Sequence, residues 1–121
     1  MVKISKELEV NSMDNKIKKI ISKITNVLVK NYKPEKIILF GSYANESFKK
    51  DSDIDLLVIK DAEKKNRIDR FVEVKKIIYN PKLKIPISPL ILTKDELQER
   101  LDMGDDFIKE IVGKGKILYE K

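Results

Sequence analysis

Two short segments decide the fold: Lys36-Ile37-Ile38-Leu39-Phe40-Gly41-Ser42-Tyr43-Ala44 and, beyond the linking residues 45–51, Ser52-Asp53-Ile54-Asp55-Leu56-Leu57-Val58. Residues 36–40 form an unbroken apolar run that closes on a glycine, the pattern of a buried strand. Asp53 to Lys60 reads as a second strand. Alternate side chains of a strand share a face, so Asp53 and Asp55 project together, about 7 Å apart along the strand. Two carboxylates at that spacing repel each other and suit one or two hard divalent cations. At the other segment, Gly41 leaves room for a tight turn and for close approach of a ligand. Ser42 to Ser47 is predicted to open a short helix, whose first amides, with the serine hydroxyl, suit phosphate. Phosphate at one end and metal at the other is the equipment of phosphoryl or nucleotidyl transfer.

Upstream, a helix is predicted from Ser12 or Asp14, with Ile17, Ile20, Ile21, Ile24, Val27 and Leu28 at helical spacing. It stops before Pro34, because the residue preceding proline disfavours the helical region. Residues 1–12 have no clear period and read as a short helix, an extended arm or a frayed end. Downstream, Phe48 to Ser52 is a loop. A helix is expected from about Lys64 to Tyr79, with Ile68, Phe71, Val72, Lys75 and Ile78 along one side, ended by Asn80-Pro81. Ile85 to Leu92 reads as a strand interrupted by Pro86 and Pro89, hence an edge or bulged strand. Thr93 and Glu96 have capping-box spacing and open a short helix to about Leu101. Met103-Gly104 breaks it, and Asp105 starts a last helix with Phe107, Ile108, Ile111 and Val112 as its apolar face. Gly113 and Gly115 end that helix, and Lys116 to Tyr119 reads as a final strand. The expected fold class is α/β (α+β in some schemes): one domain over residues 1–121, a small mixed sheet with helices mainly on one face and the metal site on the other.

Composition narrows the chemistry. Among 121 residues there is no cysteine and no histidine. That removes disulfides, thiolate and imidazole metal sites, histidine bases and Ser-His-Asp triads. Any metal is held by oxygen, which favours Mg²⁺, Mn²⁺ or Ca²⁺. No apolar stretch has signal-peptide or membrane-spanning length, so a cytoplasmic protein is expected. The formal charge of +6 suits a polyanionic ligand. Lysine and glutamate are nonetheless interleaved along the chain, and the lysines of the first helix read as a wet surface. There is no concentrated basic stripe with interleaved aromatics, which argues against nucleic acid as the acceptor.

Gly-Ser, ten residues, then Asp-x-Asp resembles the signature of the polymerase-beta-type nucleotidyltransferase superfamily. Phe40-Gly41-Ser42-Tyr43-Ala44 and Ser52-Asp53-Ile54-Asp55-Leu56-Leu57-Val58 are similar to its minimal nucleotidyltransferase group, whose members are often antitoxins paired with a helical HEPN-domain toxin. The resemblance is strong over Lys36 to Lys60; Gly115 to Tyr119 adds a weaker match to the group's C-terminal pattern. It implies that Gly41 and Ser42 bind the β- and γ-phosphates of ATP and that Asp53 and Asp55 hold Mg²⁺. It implies AMP transfer to a partner protein, a HEPN-type toxin, and leaves a homo- or hetero-oligomer open. The pattern departs at the family's third carboxylate: Ile87-Ser88-Pro89-Leu90 carries no acid, and Ser88 aligns with it. Asp69 and Glu73 are substitutes that the sequence does not place in the site. The family's frequent Arg-Gly after the alanine is Asn45-Glu46 here. Two other functions stay open on these residues: a binding-only antitoxin, and a small-molecule nucleotidyltransferase of the antibiotic-modifying kind that needs a helical partner subunit.

Overall fold

The computed structural model describes residues 15–49, 52–61 and 64–121. The arm or frayed end expected at residues 1–12, and the Ser12 or Asp14 helix start, lie outside these residues, as do Lys50 and Asp51. The elements, in chain order, are α1 (Asn15–Asn31), β1 (Lys36–Phe40), a single 3₁₀ turn (Gly41–Tyr43), β2 (Ile54–Ile59), α2 (Arg67–Ile78), β3 (Ile87–Leu92), α3 (Lys94–Asp102), α4 (Asp106–Lys114) and β4 (Lys116–Glu120).

The four strands form one mixed sheet in the order β3-β2-β1-β4. β1 pairs antiparallel with β2 and β4, while β2 and β3 run parallel. Residues 36–40 are a central strand, buried as the apolar run predicts, and β3 with its Pro89 is an edge strand, where a missing donor is tolerated. Ile54, Leu56 and Val58 of β2 face Ile21, Ile24 and Leu28 of α1 and Val74 and Ile78 of α2 in one buried cluster. Leu57 and Ile59 face the opposite way, with Ile38, Leu92, Ile108 and Ile111.

The two longer helices thus hold one face, in line with the sequence. The other face, which carries Asp55, is not bare: α3 and α4 cover part of it. Two junctions make this possible. Thr93 and Glu96 form the capping box expected at α3, with Thr93 Oγ1 accepting from Glu96 N at 3.1 Å and Glu96 Oε1 accepting from Thr93 N at 2.8 Å. Gly115 closes α4 so tightly against β1 that a Cβ there would run into Ile38 and the Ile111 carbonyl.

Two helix faces differ from the sequence reading. In α2 the buried residues are Arg70, Val74 and Ile78, while Ile68 is 75% exposed and Phe71 and Val72 also face solvent. The reason is Arg70, only 4% exposed. Its guanidinium donates to Glu96 Oε1 and Oε2 at 2.6 and 2.9 Å and to the carbonyls of Lys65 and Ile91. A bidentate pair reaching from α2 to α3 rotates the helix so that the arginine, not the apolar stripe, faces inward. In α4, Ile108 and Ile111 are buried as expected, but Phe107 and Val112 are exposed.

The hydrogen bonds from Arg70 hold the Glu96 carboxyl down to about 2, from an ordinary value of 4.5. A carboxyl whose folded value is depressed contributes stability that is fully present above the unfolded value and is lost as pH falls through the folded one. Stability should therefore decline between about pH 4.5 and 2 through this pair. Glu96→Ala should cost about 2–3 kcal/mol at neutral pH, at or below the lower limit for stranding a buried charge, because Glu96 is a third exposed. Denaturant melts of both forms at pH 6 and pH 3 check this: the gap between them should shrink on acidification.

Candidate active site

The end of the sheet where β1 finishes and β2 and β3 begin collects the residues that the sequence singled out. Register does the assembly. Phe40 of β1 is opposite Asp55 of β2, and Asp55 is level with Ser88 of β3. Partners in register project to the same face, so Phe40, Asp55 and Ser88 form one row across three strands. Asp53 precedes β2, and its Oδ2 accepts a hydrogen bond from Ser88 Oγ at 3.3 Å. The start of β2 is pinned by Ile54 N donating to the Pro86 carbonyl at 2.9 Å. Ser52 holds the preceding loop through Lys49 N to Ser52 Oγ, 2.7 Å.

Gly41 follows Phe40 directly, and its backbone is left-handed, with φ +74°. A Cβ there would overlap the Asp55 carboxylate, with Asp55 Cγ 3.3 Å away. Glycine is required twice over, for handedness and for space. The expected Ser42–Ser47 helix is only one 3₁₀ turn, Gly41–Tyr43, closed by Ala44 N on the Gly41 carbonyl at 3.1 Å. Chain reversal continues through Asn45, whose Oδ1 accepts from Ser47 N at 3.1 Å, and Glu46, which is left-handed at φ +64°. The glycine of the family's Arg-Gly pattern would meet that backbone without strain. The turn leaves its opening amides without partners inside the turn, but no long helix stands behind them, so the phosphate argument rests on Gly41, Ser42 and their backbone rather than on a helix dipole.

Tyr43 is buried and stacks on Phe48, centroids 4.7 Å apart, so it packs locally rather than facing a ligand. Burial pushes its hydroxyl up, with the Asp53 charge adding to the effect. Asp55 is half-buried, and its carboxyl is raised first by that burial and then by repulsion from Asp53. The donor set fits a hard divalent cation: two convergent carboxylates, one of them destabilised as an anion until a positive charge arrives. Among the described residues no third acidic, histidine or cysteine side chain joins them into a metal cluster. Asp69 and Glu73 sit on α2, where Glu73 pairs with Lys65 at 2.7 Å. Phe107, expected on the apolar core face of the last helix, instead meets Phe40 edge to face beside the turn, centroids 5.7 Å apart. Its sequence signal, an apolar residue at helical spacing, is indistinguishable from that of Ile108.

A glycine turn closing one strand onto a carboxylate pair that opens the next, on a four-stranded mixed sheet, defines a nucleotidyltransferase. The chain belongs to the polymerase beta nucleotidyltransferase family, whose sequence pattern matches residues 22–121. A Methanocaldococcus jannaschii protein provisionally named a protein adenylyltransferase is 28% identical over 103 residues, 84% of this chain and 96% of that protein. A second protein of that organism under the same kind of name is 46% identical over 44 residues, 36% of this chain and 45% of its own length. A Sulfolobus solfataricus crystal structure, provisionally named a nucleotidyltransferase, superposes with a TM-score of 0.54 at 23% identity, covering 67% of this chain and 70% of that one, a likeness of fold.

Two stability measurements follow from this geometry. Gly41→Ala should lose about 1–2 kcal/mol to handedness alone, and more through the clash with Asp55. Asp55→Asn should raise the melting temperature in the presence of chelator, since it removes a carboxylate that folding disfavours. A lower melting point for Asp55→Asn would show that the carboxylate is held by partners other than a cation.

Proposed function

We propose that this protein transfers AMP from Mg-ATP to a hydroxyl on a partner protein. The observation that carries the proposal is the contact between the Gly41 backbone and the Asp55 carboxylate, with Asp53 alongside. It sets a backbone that carries no side chain directly beside the two carboxylates, which supports a phosphate on the turn next to a metal held by the pair. Gly41 and Ser42 would take the β- and γ-phosphates. Asp53 and Asp55 would hold Mg²⁺, which when bound neutralises charge on the phosphates. The acceptor oxygen attacks the α-phosphorus, the bond from that phosphorus to the bridging oxygen of the β-phosphate breaks, and pyrophosphate leaves; the hydroxyl proton passes to water. Positioning and charge neutralisation supply most of the rate. The names carried by the two M. jannaschii relatives support a protein as acceptor. The resemblance to minimal nucleotidyltransferases supports a HEPN-type helical toxin as that protein, a tyrosine hydroxyl as its acceptor group, and an antitoxin role in the cytoplasm. No helix among the described residues is long and apolar enough to cross a membrane.

A second reading is favoured by one observation. Ser88 stands level with Asp55 and hydrogen-bonds Asp53, where a third carboxylate would complete the site. A hydroxyl is neither a base at neutral pH nor a strong Mg²⁺ ligand, so the protein would then neutralise its partner by binding alone.

Incubation with ATP radiolabelled at the α-phosphate, Mg²⁺ and the co-purifying or neighbouring partner separates the two readings. Transfer predicts label on the partner that disappears with Asp53→Ala/Asp55→Ala. Ser88→Asp should then raise the rate at least about tenfold, toward the usual worth of a positioned base. Binding alone predicts no label and full neutralisation by the double alanine form.

A further inference from the structure

The Gly41 turn has a second neighbour besides the carboxylates. Between it and α4 lies a cavity of about 140 Å³, lined among others by Phe40, Asn45, Phe107, Glu110 and Lys114. Phe107 projects from the first turn of α4 at the cavity, 54% exposed, with its ring at 80° to that of Phe40. Asn45 uses its carbonyl oxygen on Ser47 N, which leaves its NH₂ group to donate. Glu110 and Lys114 follow on α4 at helical spacing and bring an acceptor and a cation to the rim.

We infer that this cavity is a nucleobase site, taking the purine of the bound nucleoside triphosphate. The inference rests on the function proposed above, because it takes the phosphates to sit at Gly41 and Ser42. Position excludes the acceptor. The attacking hydroxyl arrives in line with, and opposite to, the leaving pyrophosphate. With the leaving phosphates on the turn that ends β1, the acceptor comes over β2 and β3, from the Ser88 side. The cavity lies on the other side of the turn, toward α4 and β4. Chemistry excludes the phosphates, since two phenyl rings offer nothing to an anion, whereas a base presents a π-face to them. Glu110 accepts from an exocyclic amino group and Asn45 donates to a ring nitrogen, the pairing that the edge of adenine offers. Lys114 is left to approach the phosphate side.

The test compares Mg-ATP with Mg-tripolyphosphate, which has the phosphates and no base, by calorimetric titration. Wild type should bind ATP the more tightly. Phe107→Ala, a change at an exposed position, should weaken ATP roughly tenfold, the worth of one stacked base, and leave tripolyphosphate unchanged. Phe107→Tyr, which keeps the ring, should restore ATP binding. Unchanged ATP affinity in Phe107→Ala, an equal loss for both ligands, or equal affinity of wild type for both would overturn the inference while leaving the phosphate site standing. Failure of wild type to bind either ligand would instead remove the proposed function, and this inference with it.

Discussion

Gly41 lies against Asp55 with no room for a methyl group between them, and the rest of the site is arranged around that approach. The contact exists because Phe40 and Asp55 are register partners at the end of an antiparallel pair. The residue after Phe40 must turn away from the sheet immediately, in a left-handed conformation, across the face on which Asp55 projects. Only glycine meets both demands at low cost. The raised Asp55 carboxyl is the electrostatic counterpart of the same crowding. Burial and a like charge disfavour the anion, so a bound cation has the most to gain there.

Holding two strand ends this precisely requires a rigid sheet, and the cores on its two faces supply it. β1 and β2 are the central strands, with β3 and β4 protecting their outer edges. Ile37, Leu39, Leu56 and Val58 are locked beneath α1 and α2, and Ile38, Leu57 and Ile59 beneath α3 and α4. The Arg70–Glu96 pair ties the two helical layers together around the β3 edge. The carboxylate end of the sheet is where this cover stops, leaving Asp53 exposed.

Much of this was legible in the chain because it is local. The apolar run 36–40, the glycine that ends it, the capping box at Thr93 and the edge-strand prolines each state their structure within a few residues. The alternation of Asp53 and Asp55 points both to one face, and Ser88, level with Asp55, donates to Asp53. What was not legible depends on distant partners. The inward face of α2 is set by an arginine whose carboxylate lies 26 residues away, so Ile68, Phe71 and Val72 looked like core and are not. The Ser42–Ser47 segment has a helix-like opening, yet chain reversal at Asn45 and Glu46 cuts it to one turn. The covering of the second face by α3 and α4 depends on the tight junction at Gly115, which no periodicity reports. Phe107 was hidden for the opposite reason, since its spacing is that of a core residue.

On the proposed function, the Gly41 turn and the Asp53/Asp55 pair are two halves of one metal–triphosphate site. A crystal structure with Mg²⁺ and α,β-methylene ATP, which cannot release pyrophosphate, tests it most directly. Metal density should lie between Asp53 and Asp55, with the terminal phosphates against Gly41 and Ser42. A triphosphate bound away from the turn, or a metal held without either aspartate, would contradict it.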